Sequence, residues 1–343
     1  MKPQTLQKTA LALLVGWYAA NAAAYSEQGQ AGNTKSWESA EYLKDWGLTS
    51  MNASTAYALG FNGSGVKIGV MDSGVLLNHP EFQDGRIHVV KTEGTYSKDG
   101  MRYPDASVGN GPINKNEPVK NGKRNFDKTD NGVFTKGEAF NIDGAWHKYT
   151  NDAHGTHVGG TMAASRDGNE MHGVAFGANL YSANTGGNDN MTYGPNQDYS
   201  FFLQGYSAIA DDGAKVINNS WGSNRRVNSS FAGALGYKPK YDWRDVPEYG
   251  VQYYDVPKAP EPISSPAAHI YLSNLGEAEK AYYQFVTSGE KNFVDAAYEV
   301  AKNKQVIQVF TAGNRSMMAE SFTRAMLPYF RPDAEKYWVN VTG

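Results

Sequence analysis

Apolar positions in this chain fall in short, compact blocks separated by polar and glycine-rich stretches. Residues 66–71 (VKIGVM) form a compact, mostly apolar run of strand length, as expected of a strand covered on both faces in a parallel sheet. Residues 215–218 and 305–310 (QVIQVF) read the same way, and the stretch from Val339 reads as a further strand. Between them lie segments with helical patterning at 50–59, 201–210 and 293–302. Residues 155–165 (GTHVGGTMAAS) are rich in small side chains and predict a buried helix packed closely on its neighbours. Strands alternating with helices predict an α/β fold with a mostly parallel sheet. Two stretches interrupt the alternation: residues 91–150, polar and read as a long surface insertion, and residues 225–266, Tyr/Pro-rich and read as irregular. No internal repeat or low-complexity tract is present.

The N-terminus follows a different pattern. Lys2 and Lys8 precede an apolar run over residues 10–20, closed by Ala22, Ala23 and Ala24 before Tyr25. The run is shorter than the ~20 residues a membrane-spanning helix needs, and its flanks fit a cleaved signal peptide over residues 1–24. Residues 25–45 then read as a linker. The expectation is an exported protein, secreted or held at a bacterial cell surface or outer membrane, with no stable membrane span in this chain.

Composition narrows the function classes. The chain has 343 residues, enough for a sizeable core. Its net charge of −3, from 32 basic and 35 acidic residues, argues against a dedicated nucleic-acid binder. Cysteine is absent, so disulfides, thiolate metal sites and cysteine nucleophiles are excluded.

Chemistry concentrates at strand ends. Asp72 directly follows the 66–71 run, where open α/β sheets place ligands; its carboxylate could orient a histidine, bind a metal or cap a turn. His154 opens the small-residue helix in His154-Gly155-Thr156-His157. His154 and His157 could ligate a metal with a carboxylate, although the helical zincin pattern of i, i+4 histidines with an intervening Glu is absent. Alternatively, one histidine is a general base and the other structural, or both are core residues. Asn314, after the 305–310 run, could donate to developing charge on a carbonyl oxygen or simply form a turn. Ser220-Trp221-Gly222 follows another strand and offers backbone to an extended peptide.

In this order and context the four pieces resemble the subtilisin-like serine proteases, the subtilases. The likeness runs from Trp46 onward through residues 63–75 (GSGVKIGVMDSGV), 154–161 (HGTHVGGT), 216–222 (VINNSWG) and 311–314 (TAGN). The resemblance implies a three-layer, doubly wound, mostly parallel sheet over residues 46–343, incomplete at its C-terminus, with insertions at about 92–150 and 223–290. It implies peptide-bond hydrolysis of protein or peptide substrates, with Asp72 orienting His154, His154 as general base, and Asn314 in the oxyanion hole. His157 would be structural. Ser220, Trp221 and Gly222 would hold substrate, with Trp221 near the pocket for the side chain before the scissile bond. No cofactor is implied beyond a structural calcium, for which Glu81 stands where the family often has a carboxylate.

The chain departs from the family in three ways. No folding pro-domain is recognisable. Phe176 replaces the proline common after Gly-Val-Ala, which with the signal and the insertions makes the chain resemble bacterial autotransporter subtilases; the C-terminal β-barrel translocator of that group is not in these 343 residues. The Gly-Thr-Ser block that carries the nucleophile is also missing: after Asn314 the only serines are Ser316 and Ser321, neither in such a context, and Gly47-Leu48-Thr49-Ser50-Met51 lies upstream of Asp72. The expectation is therefore a serine endopeptidase by ancestry whose residues 1–343 are inactive alone. The competing expectations are a non-catalytic secreted scaffold and a metal-dependent hydrolase using His154 and His157.

Overall fold

The structure, a computed structural model, describes residues 29–101, 133–146, 153–185, 198–221, 243–246, 251–254, 291, 293–311 and 327–341. The expected signal segment, Gly222 and Asn314 lie outside the described residues.

Three short helices come first: α1 (Ala40–Lys44), α2 (Trp46–Ser50) and α3 (Ala53–Ala58). The single helix expected over 50–59 is broken because Asn52 takes a left-handed conformation at φ 58°, which asparagine tolerates better than most residues. The strands are β1 (Lys67–Asp72), β2 (Ile87–Val89), β3 (Lys91–Thr95), β4 (Gly100–Met101), β5 (Val133–Phe134), β6 (Ala139–Asp143), β7 (Asn179–Asn184), β8 (Val216–Asn219), β9 (Trp243–Val246), β10 (Val251–Tyr254), β11 (Ile307–Thr311) and β12 (Trp338–Val341). Helices α4 (His154–Ala163), α5 (Tyr199–Asp211), α6 (Phe293–Lys304) and α7 (Leu327–Phe330) complete the set.

Six strands form one sheet in the order β12-β11-β8-β1-β7-β2. The β1–β8, β8–β11 and β11–β12 pairs are parallel, with Val70 opposite Asn218 and Val309 opposite both Asn218 and Val339. The chain is α/β with a mostly parallel sheet, as its alternating pattern predicts.

The chain divides into two compact units: Met1–Lys67, Leu77–His88 and His157–Leu180, and Ile68–Leu76, Val89–Thr156 and Tyr181–Gly343. The first has an aromatic core of Tyr42, Leu48 and Tyr57 with Trp37, Val174 and Phe176 against it. The second is larger. Its helix α5 starts where the Asp198 carboxylate accepts the Phe201 amide at 2.9 Å, and it buries Phe201, Phe202, Gly205, Tyr206 and Ile209 on one helical face. Gly69 of β1 permits that packing, because a Cβ there would run into the Ile209 side chain.

The 92–150 stretch is less of a surface element than its polarity suggests. β3 and β6 pair as an antiparallel hairpin from Lys91↔Asp143 to Thr95↔Ala139. Tyr96 and Phe140 are buried, and Phe140 meets Phe201 edge-on at 5.1 Å. Two aromatic residues among lysines and asparagines thus fasten the base of the stretch to the core. Within 225–266, read as irregular, β9 and β10 form an antiparallel pair.

Candidate active site

β1 carries Asp72 at its C-terminal end, and α4 begins with His154. The Nδ1–H of His154 donates to Asp72 Oδ1 at 2.8 Å. The Asp72 side chain is 3% exposed and that of His154 48%, so the carboxylate is fixed in the interior while half of the ring is accessible. With the proton on Nδ1 held by the carboxylate, the Nε2 lone pair is available as a base. When Nε2 takes a proton, the resulting imidazolium lies against a buried negative charge.

Local backbone holds this pair in place. The Ser73 amide donates to Asp72 Oδ1 at 2.7 Å, and the Thr185 amide donates to the Asp72 carbonyl at 2.7 Å. Among the described residues the buried Asp72 Oδ2 has no hydrogen-bond partner, which leaves Oδ1 as the carboxylate's anchor. The Gly155 amide donates to Ser73 Oγ at 2.9 Å, and the Leu76 amide to Thr156 Oγ1 at 3.0 Å. The first turn of α4 is therefore bonded directly to the loop after β1. Gly74, at φ 90°, makes the turn between them. Sequence reasoning assigned no role to Ser73, Thr156 or Thr185; for the first two, adjacency to Asp72 and His154 was the only signal available.

On the neighbouring strand, Asn218 Nδ2 donates to Ser220 Oγ at 2.9 Å after β8. Trp221 was expected beside a substrate pocket, but its ring is 4% exposed and lies in the core against Phe202, Phe293 and Phe310. β11 ends at Thr311, three residues before Asn314.

The metal reading of the histidines is not favoured. Nδ1 of His154 is committed to Asp72, His157 is exposed on α4, and among the described residues no three His, Asp or Glu side chains form a group able to hold a metal ion.

Glu81 lies in the first unit and is buried, and among the described residues its Oε2 lacks a partner. Burial pushes its carboxyl up to about 7, reinforced by the charges of Asp167, Glu41, Glu170 and Asp84. In the unfolded chain the group titrates near 4.5. Below that value both states hold the proton and ionisation costs nothing; as pH rises through about 7 the folded state must bury a charge, so this contribution to stability is lost. Glu81→Gln therefore raises stability at pH 8 by about 2 kcal/mol, after allowance for solvent screening of the acidic neighbours, and changes little at pH 4. Chemical denaturation of both proteins at the two pH values checks this, and an equal effect at both would contradict it.

The family model described as the subtilase family matches residues 63–343. The chain is 28% identical to an extracellular serine protease of Serratia marcescens over 98% of its own length and 26% of that protein's. It is 28% identical to bacillopeptidase F of Bacillus subtilis, over 75% of this chain and 16% of that one. Among solved structures, fervidolysin from Fervidobacterium pennivorans, described as a keratinolytic enzyme related to subtilisin, aligns at 18% identity and a TM-score of 0.37, covering 84% of this chain and 28% of that one. The chain thus spans about a quarter of the length of the Serratia relative.

Proposed function

The chain belongs to the subtilase family, and from that membership we propose that it supplies the general-base half of a serine endopeptidase acting on protein or peptide substrates. The observation that carries the reading is the 2.8 Å bond from the half-exposed His154 ring to the buried Asp72 carboxylate.

In this mechanism His154 Nε2 removes the proton of a serine hydroxyl as the oxygen attacks the scissile carbonyl carbon. His154 then returns that proton to the leaving amine, and an acyl-enzyme forms that water hydrolyses by the reverse sequence. Asp72 stays ionised throughout and stabilises the imidazolium. The Asn314 amide donates to the oxyanion of the tetrahedral intermediate, and the backbone from Ser220 to Gly222 pairs with the extended substrate. The nucleophile belongs to a Gly-Thr-Ser block, which the sequence of residues 1–343 does not contain.

The N-terminal segment and the extracellular Serratia relative support export of the protein, and the likeness to autotransporter subtilases supports delivery to the outer membrane or cell surface through a C-terminal β-barrel translocator. Among the described residues no helix is long and apolar enough to cross a membrane. The orphaned oxygen of Glu81 supports a structural calcium ion held by that one carboxylate, since among the described residues no cluster of three carboxylates forms there. It would neutralise buried charge, with carbonyl oxygens completing its shell. Calcium then raises the melting temperature of the parent protein at pH 8 and not that of Glu81→Gln.

The test of the catalytic reading uses two polypeptides: residues 1–343, and the same residues continued into the serine-bearing segment of the Serratia protease. Each is treated with a fluorophosphonate probe and assayed on casein. The expected result is no labelling of residues 1–343, and labelling and casein hydrolysis by the longer polypeptide that are lost in His154→Ala. Labelling of residues 1–343 alone, or hydrolysis that survives His154→Ala, would overturn it. A non-catalytic scaffold predicts no hydrolysis from either.

A further inference from the structure

Trp221 donates its indole N–H to the carbonyl of Met71 at 2.6 Å, although 150 residues separate them in the chain. The parallel pairing of β1 with β8 runs through Ile68↔Val216, Gly69↔Ile217 and Val70↔Asn218. Met71 lies just beyond it. At that point the indole brings a side-chain donor to the strand end. The Met71 carbonyl and the Asp72 N–H belong to one planar peptide unit, so holding the first sets the plane from which the Asp72 side chain leaves the backbone. The Thr185 amide holds the next carbonyl, that of Asp72 itself.

The indole is itself held firmly. Its ring is buried, with ring centres of Phe202 at 5.4 Å, Phe293 at 5.2 Å and Phe310 at 6.3 Å. A phenylalanine here would keep apolar contact with these rings but has no N–H. Packing alone therefore does not account for an indole whose one polar atom meets the backbone next to Asp72.

We propose that Trp221 is a positioning residue for the Asp72–His154 pair, tying the end of the substrate strand to the peptide unit that aims the Asp72 carboxylate. This rests on the reading of that pair as the catalytic base. In the absence of the indole donor the Met71–Asp72 peptide rotates, Oδ1 drifts from His154 Nδ1, and the ring loses its fixed orientation. The Trp221 indole acts through Asp72, while substrate pairing in this segment is left to its backbone. It also connects the segment that receives substrate to the group that activates the base.

Proton NMR of the full 343-residue chain tests the proposal through the resonance of the His154 Nδ1 proton, which a short bond to a carboxylate moves far downfield. Asp72→Asn identifies the resonance by removing it from that position. Trp221→Phe is expected to shift it upfield by at least 0.5 ppm and to speed its exchange with water several-fold. Phe202→Leu loosens the same aromatic cluster while keeping the indole N–H. It is expected to lower the melting temperature and leave the resonance in place. Should Trp221→Phe fail to fold, benzothienylalanine at position 221, which keeps the ring area and lacks the N–H, makes the same comparison. A downfield resonance that depends on Asp72 but is unmoved by either replacement at 221 overturns the positioning role alone. Equal shifts from Phe202→Leu and Trp221→Phe also overturn it, since packing would then be the whole cause. Absence of any Asp72-dependent resonance overturns the pair and the proposal with it.

Discussion

Asp72→Asn lowers kcat of residues 1–343 continued into the serine-bearing segment of the Serratia protease on the order of 10⁴-fold, the scale of this change in serine proteases with the same triad chemistry. The change preserves shape and removes charge. His154 Nδ1 bonds to Asp72 Oδ1 at 2.8 Å, and that oxygen also takes the Ser73 amide at 2.7 Å. An asparagine can keep one of those contacts through its carbonyl oxygen, but it cannot balance the positive ring that forms when Nε2 takes the serine proton. It can also turn its NH₂ toward Nδ1, which forces the ring into the tautomer with a protonated Nε2 and no base. KM changes little, because Asp72 is buried and makes no contact with substrate. Steady-state kinetics on a chromogenic peptide, with thermal unfolding as a check on folding, measure both. A loss of less than tenfold would mean that His154 does not depend on this carboxylate.

Gly155→Ala produces the second large effect, with a sign opposite to the one helix propensity predicts. Alanine is favoured over glycine inside a helix by about 1 kcal/mol. At Gly155, however, a Cβ would lie 2.5 Å from the Gly74 carbonyl oxygen, 2.9 Å from the Gly74 nitrogen and 3.0 Å from the Ser73 nitrogen. All three atoms are backbone, and no rotamer change relieves the clash. The first turn of α4 must withdraw, stretching the bond from the Gly155 amide to Ser73 Oγ and carrying His154 away from Asp72. The expected outcome is a stability loss of about 1–3 kcal/mol with kcat down on the order of 10²-fold, the cost of a shift of about 1 Å in a catalytic group. At Gly160, in the same helix, an added Cβ would meet no atom of another element within 4 Å. Gly160→Ala should follow propensity and stabilise slightly. Urea denaturation of both variants, with kinetics of Gly155→Ala in the polypeptide extended with the Serratia serine segment, tests the pair; a Gly155→Ala protein as stable and active as its parent would show that the close approach is not required.

Local pattern determined what a single segment can determine. The apolar run VKIGVM yields β1, the small-residue run after His154 yields α4, and QVIQVF yields β11, each within a residue or two, because a segment buried on most sides must be apolar or small along its length. The same runs place Asp72 at a strand end and His154 at a helix start, so both members of the pair were legible from the chain alone. Other features depended on distant partners. Nothing in the polar stretch around residues 91–150 announces that Tyr96 and Phe140 anchor it, since that burial comes from Phe201 far along the chain. β7, which reads as ordinary polar-apolar sequence (NLYSAN), becomes a strand of the sheet only because neighbours pair with it. Trp221 shows the limit most clearly. Its tripeptide offers no more than backbone to an extended peptide, and only the fold shows the indole turned inward to the Met71 carbonyl. A side chain's direction is set by whichever distant surface leaves room and a partner for it. The sequence by itself determined the elements and the chemistry they carry; the tertiary structure alone decided which oxygen meets which nitrogen, because those contacts join residues that no local pattern relates.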